Sequence, residues 1–189
     1  MTHPAERAAA RCVADLRAAP RPLRPVSGKP VVPQVHFYWD SEQAQVALEL
    51  AEDPGALVTL SAEITGRPRW ITLSIALGNT EFAAGDVLGL ALRAEGAMTL
   101  SPLIRSRRGD AMQDTAFGEI LNLDIDPRPC VLLHKLTGEP MVGPPQFHTL
   151  ILPLPKDSFR LRLVDLRFFV VPAARQAEPD LPRLGSFAV

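Results

Sequence analysis

The chain has 189 residues, 47% of them hydrophobic, and a formal net charge of −1. This length predicts one domain, or one domain with an appendage, and the apolar content can build a core without a metal or a disulfide. The near-zero net charge excludes a global field that attracts nucleic acid or an anionic membrane surface. The two cysteines, Cys12 and Cys130, lie in unlike contexts and are predicted to be unpaired thiols, which favours a reducing compartment.

The first 25 residues do not have the pattern of a secretory signal. Arginines recur through them, and the continuous apolar run that export requires is missing. No stretch of the sequence has the uninterrupted apolar length that spans a bilayer. The chain uses 17 Arg against 3 Lys and is rich in Ala and Pro, which is typical of high-GC bacterial coding. We therefore expect a cytoplasmic bacterial protein.

The first predicted element is a helix over residues 4–19. Pro4 stands in the first turn, Glu6 follows near the start, and good helix formers continue from there. The apolar residues form a narrow stripe of little bulk, so the helix is marginal alone and is expected to dock on another element. The stripe consists of Ala9, Cys12, Val13 and Leu16.

Residues 20–33 contain five prolines and predict an extended, semi-rigid tether. We therefore assign residues 1–33 to a helix and a Pro-rich tether that lie outside the main domain. Deletion of residues 1–30 is expected to leave the main domain folded, because the tether has no strand pattern.

From residue 34 to residue 171 the chain has the alternation of β-strands. Apolar residues fall at every second position, as in Ile71, Leu73 and Ile75, which places one face of each strand in a core. Ten strands are predicted, at 34–39, 45–51, 56–64, 69–77, 86–94, 98–105, 117–125, 130–136, 147–154 and 158–171. The apolar residues of the segment 41–51 also have the spacing of a helix, but we predict a strand there.

The segments between these strands carry turn residues and leave no room for crossover helices. The pattern therefore predicts an all-β fold, an antiparallel β-sandwich of jelly-roll type over residues 34–171. Its core is predicted to include Leu73, Ile75, Leu90, Leu92, Leu150, Leu152, Leu161 and Leu163. Residues 172–189 are predicted to form an extended C-terminal tail.

The sequence contains none of the common local motifs of catalysis or cofactor binding, and we predict a protein that is not an enzyme and has no cofactor. His36, His134 and His148 have no ligand-like local spacing, which argues against a metal site. Asp110 and Asp114 are either solvated turn residues or ligands of a calcium ion in a loop.

The outward-facing residues of four predicted strands suggest a binding surface. If their strands were neighbours, one shallow floor would contain Trp70 with the small residues that follow it, together with Arg93 and Arg105. This floor either binds a ligand or is covered by one of the terminal arms. In the first strand, Phe37 and Trp39 are predicted to enter the core, while His36, Tyr38 and Asp40 face the other side and offer groups that pair with hydroxyls.

The chain resembles the jelly-roll proteins of the carbohydrate-binding-module and galactose-binding-like group over residues 34–171. The resemblance is one of strand pattern, in the segments 70–75, 85–93, 147–155 and 159–169. It implies a β-sandwich that binds saccharides through aromatic and polar residues on a sheet face or in the loops at one end.

Two functions follow from these observations. The first is a non-catalytic glycan-binding module whose ligand contacts Trp70, Arg93, Arg105, Tyr38 and Asp40. The alternative is a structural or assembly subunit that binds neighbouring protein subunits through its terminal arms.

Overall fold

The structure is a computed structural model, and it describes residues 2–176. Its helices are α1 (Pro4–Ala18) and α2 (Ala173–Gln176). Its strands are β1 (Pro30–Val32), β2 (Val35–Trp39), β3 (Ala44–Ala51), β4 (Val58–Gly66), β5 (Ile71–Phe82), β6 (Val87–Glu95), β7 (Met98–Leu100), β8 (Leu103–Arg108), β9 (Ala111–Ala116), β10 (Leu121–Leu123), β11 (Arg128–Lys135), β12 (Gly143–Pro153) and β13 (Phe159–Val171).

These strands form two main sheets and one small ribbon. The six-stranded sheet has the order β1-β2-β5-β12-β8-β9, and the five-stranded sheet has the order β11-β6-β13-β4-β3. Strands β7 and β10 pair separately. Neighbouring strands pair antiparallel throughout both sheets. The predicted antiparallel β-sandwich is therefore confirmed.

The core lies between the two main sheets and contains the side chains that the alternation assigned to it. Leu73 and Ile75 of the six-stranded sheet, and Leu90 of the five-stranded sheet, are fully buried. The other predicted core leucines are buried as well: Leu92, Leu150, Leu152, Leu161 and Leu163. Phe37 and Trp39 also face the core, as predicted.

Some strand boundaries differ from the prediction for identifiable reasons. The predicted strand 98–105 is two strands, because Pro102 interrupts it and cannot donate to a ladder. Residues 111–116, expected as a loop, form β9, which is joined to β8 by a turn with Gly109 at a φ of 58°. The segment 44–51 is a strand, as predicted, despite its helical spacing.

Strand β5 continues five residues beyond its predicted end at residue 77, to Phe82. The ladder with β12 skips Leu77, since Ala76 pairs with Thr149 and Gly78 pairs with His148. This bulge uses the positive φ of Gly78, 82°, and changes which residues face the core. Thr80 and Phe82 therefore point inward. The simple alternation of inward and outward residues ends at this bulge, where the apolar pattern of the sequence also ends.

Helix α1 packs against β5 of one sheet and β13 of the other. His3 caps its N-terminus by accepting from the amide of Ala5, and Arg17 in its last turn pairs with Asp165 at 2.9 Å. The buried stripe consists of Ala5, Ala9, Cys12 and Leu16 and belongs to the same apolar cluster as the sheets. The helix therefore docks on the rest of the fold, as expected, and its apolar stripe is buried in the common core.

The Pro-rich segment after the helix is attached to both sheets. Leu23 forms a two-way backbone bridge with Leu50 at the edge of the five-stranded sheet. Residues 30–32 form β1, which the sequence did not predict, at the edge of the six-stranded sheet. The expected division between residues 33 and 34 therefore does not separate a free tether from the domain.

At the other end, the Ala173 amide donates to the Asp86 carboxylate. Most of the predicted tail, from residue 177 onward, lies outside the described residues. No helix among the described residues is long and apolar enough to cross a membrane.

Candidate ligand-binding cleft

The outer face of the six-stranded sheet, opposite the core, carries a cleft of about 790 Å³. Its floor comes from β2, β5, β12 and β8, and its far side from β9. The cleft is lined by Gln34, His36, Tyr38, Arg69, Trp70, Ile71, Thr72, Ser74, Ala76, Leu103, Arg105, Arg107, Met112, Phe147, Thr149, Ile151, Pro153, Leu154 and Lys156. We call this surface the cleft.

The register of the sheet places these side chains in rows across the strands. Tyr38 pairs with Thr72, which pairs with Pro153, and His36 pairs with Ser74 in the next row. Small side chains therefore occupy the centre of the floor on β5, and larger ones stand on both sides. This is the shape of a groove, in which a ligand can approach the sheet closely along its middle.

Three aromatic rings stand on one side of the cleft. The rings of His36 and Tyr38 stack with centroids 5.6 Å apart and an interplanar angle of 20°. The Tyr38 ring lies against Gly28, where an added Cβ would stand 3.6 Å from it. Trp70 is 43% exposed, as predicted for an outward-facing residue.

Asp40 supports this aromatic side from beneath. Its carboxylate is 2% exposed and accepts from the Arg69 side chain at 2.7 Å and from the Arg69 amide at 3.2 Å. The Asp40 amide donates to the Trp70 carbonyl at 3.2 Å. The hydrogen bond from the Arg69 guanidinium holds the pKa of Asp40 below its ordinary value. Asp40 is thus buried and engaged by Arg69, and its contact with a ligand stays a prediction.

Arg105 and Asp114 form a closed ion pair on the opposite side of the cleft. They face each other across the β8–β9 ladder, and two parallel hydrogen bonds of 2.8 Å join them. Arg105 lies in the cleft, as expected. One edge of its guanidinium is already occupied by the two hydrogen bonds to Asp114. Asp114 gives both oxygens to Arg105, so it is not available to the calcium site that the sequence left open.

Arg107 and Phe147 form a second pair, between β8 and its other neighbour, β12. They are cross-strand neighbours of β8 and β12, and the Arg107 guanidinium carbon lies 5.7 Å from the centroid of the Phe147 ring. This is the geometry of a cation–π contact. Neither residue was predicted as part of a site, although Leu103, Arg105 and Arg107 alternate on one face of a strand that continues past residue 105.

Arg93 does not belong to this site. It lies on β6, whose neighbours are β11 and β13 in the other sheet, and it is exposed there. The expectation that its strand adjoins the strand of Trp70 is wrong, because consecutive strands β5 and β6 belong to different sheets. Arg162 is also in that sheet, on β13, and pairs with Asp53 and Glu95 at 2.6 Å each.

The three histidines considered as metal ligands lie in different surroundings. His148 is fully buried among core residues of β12, and His134 bonds Glu139 at 3.1 Å on the other sheet. His36 stands in the cleft. Among residues 2–176, no three His, Cys, Asp or Glu side chains are grouped as metal ligands.

Comparisons with known proteins bear on the fold. No protein-family model matches the sequence, and no curated protein sequence matches it. A family 4 carbohydrate-binding module superposes with a TM-score of 0.53 at 11% identity, and the match covers 82% of this chain and 97% of that one.

Two further solved structures match less well. The family 22 xylan-binding domain of Paenibacillus barcinonensis has a TM-score of 0.45 at 12% identity, over 82% of this chain and 97% of that one. The enzymatically active domain of tailspike protein 4 of bacteriophage CBA120 has a TM-score of 0.49 at 7% identity, over 74% of this chain and 20% of that one. The match with the family 4 module shows that the chain has the β-sandwich fold of a carbohydrate-binding module, as the resemblance of its strand pattern predicted.

Proposed function

We propose that this protein is a non-catalytic glycan-binding module and that the cleft is its binding site. The observation that carries the proposal is the composition of the cleft: exposed aromatic rings, a floor of small and hydroxyl side chains, and guanidinium groups on one groove. Ligand sites combine an apolar surface with a few converging polar groups in this way.

The groups in the cleft match the two kinds of surface on a sugar. The C–H face of a pyranose ring is apolar and can lie against Trp70, whose indole is exposed. Sugar hydroxyls can both donate and accept, and Ser74, Thr72 and Thr149 do the same. The fold shared with a family 4 carbohydrate-binding module supports the proposal.

The absence of carboxylates from the cleft supports a binding role over hydrolysis. Glycoside hydrolysis ordinarily uses two carboxyl groups on either side of the scissile bond. None of the described residues that line the cleft is Asp or Glu. The carboxylates of Asp40 and Asp114, which neighbour the cleft, are held by Arg69 and Arg105.

The position of helix α1 weakens the alternative of an assembly subunit held by terminal arms. An N-terminal arm that binds a neighbouring subunit must be free of its own domain, whereas the α1 stripe is buried in this core. The burial of α1 therefore favours the glycan-binding module over the assembly subunit.

The direct test is a glycan microarray with the wild-type protein, followed by titration of Trp70→Ala. Loss of this indole should weaken binding by about 1 to 3 kcal/mol, the scale of losing a large aromatic contact. The melting temperature should change little, because Trp70 is exposed. Failure of the wild type to bind any glycan on the array would overturn the proposal.

The chain's other tryptophan provides a matched control. Trp39 is 9% exposed and faces the core from β2. Trp39→Ala should destabilise the fold by about 3 to 5 kcal/mol. A Trp70→Ala variant that is destabilised to the same degree would show that Trp70 is structural.

A further inference from the structure

We infer that the glycan is acidic and that Arg107 and Lys156 recognise its carboxylate groups. This inference rests on the proposed function of the cleft. The charged residues that line the cleft are Arg69, Arg105, Arg107 and Lys156, and no acidic residue is among the described lining residues. A groove of one sign of charge concentrates ligands of the opposite sign.

Two of these four cations are already compensated. Arg69 pairs with Asp40 at 2.7 Å and with Glu42 at 3.4 Å. Arg105 pairs with Asp114 through two hydrogen bonds of 2.8 Å. These carboxylates lie behind or beside the cleft and cancel the charge of both arginines, so neither supplies a net attraction for an anion.

The other two cations have no acidic partner in the described part of the chain. Arg107 is exposed, and its guanidinium makes no ion pair but lies over the Phe147 ring. Lys156 is exposed just after β12 and likewise makes no ion pair with residues 2–176. A guanidinium that rests on an aromatic face keeps its N–H edge free for a carboxylate, which it can bind with two parallel hydrogen bonds.

The two uncompensated cations stand at opposite ends of the cleft. Strand β12 crosses the floor from Phe147, beside Arg107, to Pro153, three residues before Lys156. Six residues of extended strand span about 20 Å. A ligand that reaches both cations is therefore an oligosaccharide or polysaccharide with acidic sugars along its length, and a single sugar would reach only one.

The aromatic side of the cleft contributes to affinity without regard to charge. Trp70, Tyr38 and His36 can stack against acidic and neutral sugars alike. Substitution of Trp70 should therefore weaken binding to both kinds of glycan, whereas substitution of Arg107 should weaken binding to acidic glycans only.

The test uses pairs of glycans that share a backbone and differ in charge. Pectate and its fully methyl-esterified form are one pair, and glucuronoxylan and unsubstituted xylan are another. The wild type should bind the acidic member of a pair at least about tenfold more tightly at low salt. Arg107→Gln should weaken that binding by roughly 10- to 100-fold, as expected for loss of a hydrogen bond to a charged group. Binding of the neutral member should change less than about twofold.

Salt and a matched variant complete the experiment. The preference for the acidic member should disappear between about 0.01 M and about 1 M salt, as the Debye length falls from about 30 to about 3 Å. Arg93→Gln makes the same chemical change on the outer face of the other sheet and should leave all binding unchanged. Lys156→Gln should act like Arg107→Gln, more weakly, because an ammonium lacks the planar fork.

The outcomes separate this inference from the proposed function. Equal binding of acidic and neutral members, or an Arg107→Gln variant that keeps the preference, would overturn the acidic glycan and leave the glycan-binding module standing. No binding to any glycan would overturn both. Tighter binding to a single-stranded oligonucleotide than to any acidic glycan would also overturn the inference, since the cleft would then recognise a different anionic polymer.

Discussion

His148 is a polar side chain in the interior of the sandwich, and its two ring nitrogens are both engaged. Nε2 lies 3.2 Å from the Thr80 carbonyl, and Nδ1 lies 2.8 Å from the Ser106 hydroxyl. Because a carbonyl only accepts, Nε2 carries the proton, and Nδ1 of the neutral ring accepts from Ser106. Burial lowers the pKa of His148 to about 4, although the bond to the Thr80 carbonyl acts in the opposite direction.

This pKa predicts how stability depends on pH. Between pH 6.5 and about 4, the unfolded chain binds a proton at His148 and the folded protein does not. The free energy of unfolding should therefore fall as the pH is lowered through this window, by up to about 3 kcal/mol. Urea unfolding of the wild type at a series of pH values measures the slope, which His148→Gln should largely remove.

A control variant and a second pH range keep this prediction specific. His36→Gln changes a histidine of the cleft and should retain the slope. The carboxylates whose pKa values are lowered add to this slope only at the acid end of the window. Asp53 is held by Arg162, and Glu139 accepts backbone amides that outweigh the effect of its burial, so each has a pKa of about 2. Their contributions are present at higher pH and are lost below about pH 4.5. A wild-type stability that stays flat from pH 6.5 to 4 would contradict the role given to His148.

At the scale of secondary structure, helix α1 is marginally stable alone and depends on its tertiary contacts. Its stripe is mostly alanine, and only Leu16 contributes a large side chain. The helix is stabilised by what it contacts: β5 and β13, the Arg17–Asp165 pair and the His3 ring stacked 5.1 Å from Phe82. Short helices in proteins owe most of their stability to such packing.

Leu16→Ala should therefore destabilise the whole protein and not the helix alone. The side chain is fully buried, and its removal leaves a cavity that should cost about 2 to 5 kcal/mol. Chemical denaturation monitored by tryptophan fluorescence measures this loss, since both tryptophans lie in or beside the six-stranded sheet. Arg11→Ala, at an exposed position of the same helix, should change stability by less than about 0.5 kcal/mol. Equal stability of the Leu16 variant and the wild type would show that the helix is detached in solution.

At the scale of the whole molecule, one apolar cluster joins the helix, both main sheets and the small β7–β10 ribbon. Residues as distant as Leu16, Leu100 and Phe168 belong to it. The Pro-rich segment adds backbone bonds to both sheets through Leu23 and β1. The parts of the chain within residues 2–176 therefore stabilise one another and share one core.

We accordingly expect a single cooperative thermal transition for the full chain. The enthalpy measured by calorimetry should equal the van't Hoff enthalpy, because no part of the fold has an independent core that could unfold first. Circular dichroism at a helix-sensitive and a strand-sensitive wavelength should give coincident curves. Loss of the helical signal at a lower temperature than the strand signal would restore the division between an N-terminal segment and the β-domain.

The sequence by itself determined which residues are inside, because the period of two is a local property of an extended chain. Leu73, Leu90 and Leu161 could be placed in the core without knowing what they contact, and Trp70 could be placed outside. The same pattern was enough to predict an all-β antiparallel sandwich and to indicate its resemblance to the carbohydrate-binding modules.

Only the tertiary structure decided which outward residues share a surface, because strand pairing joins residues far apart in sequence. The change of sheet between β5 and β6 removed Arg93 from the site, and the turn at Gly109 brought β9 beside β8. Side-chain partners were equally non-local: Arg69 engages Asp40, and Asp114 engages Arg105, whereas Arg107 meets no carboxylate within residues 2–176. Whether a charged side chain is free to bind a ligand depends on its neighbours in the folded protein. The sequence pattern does not show which residues those neighbours are.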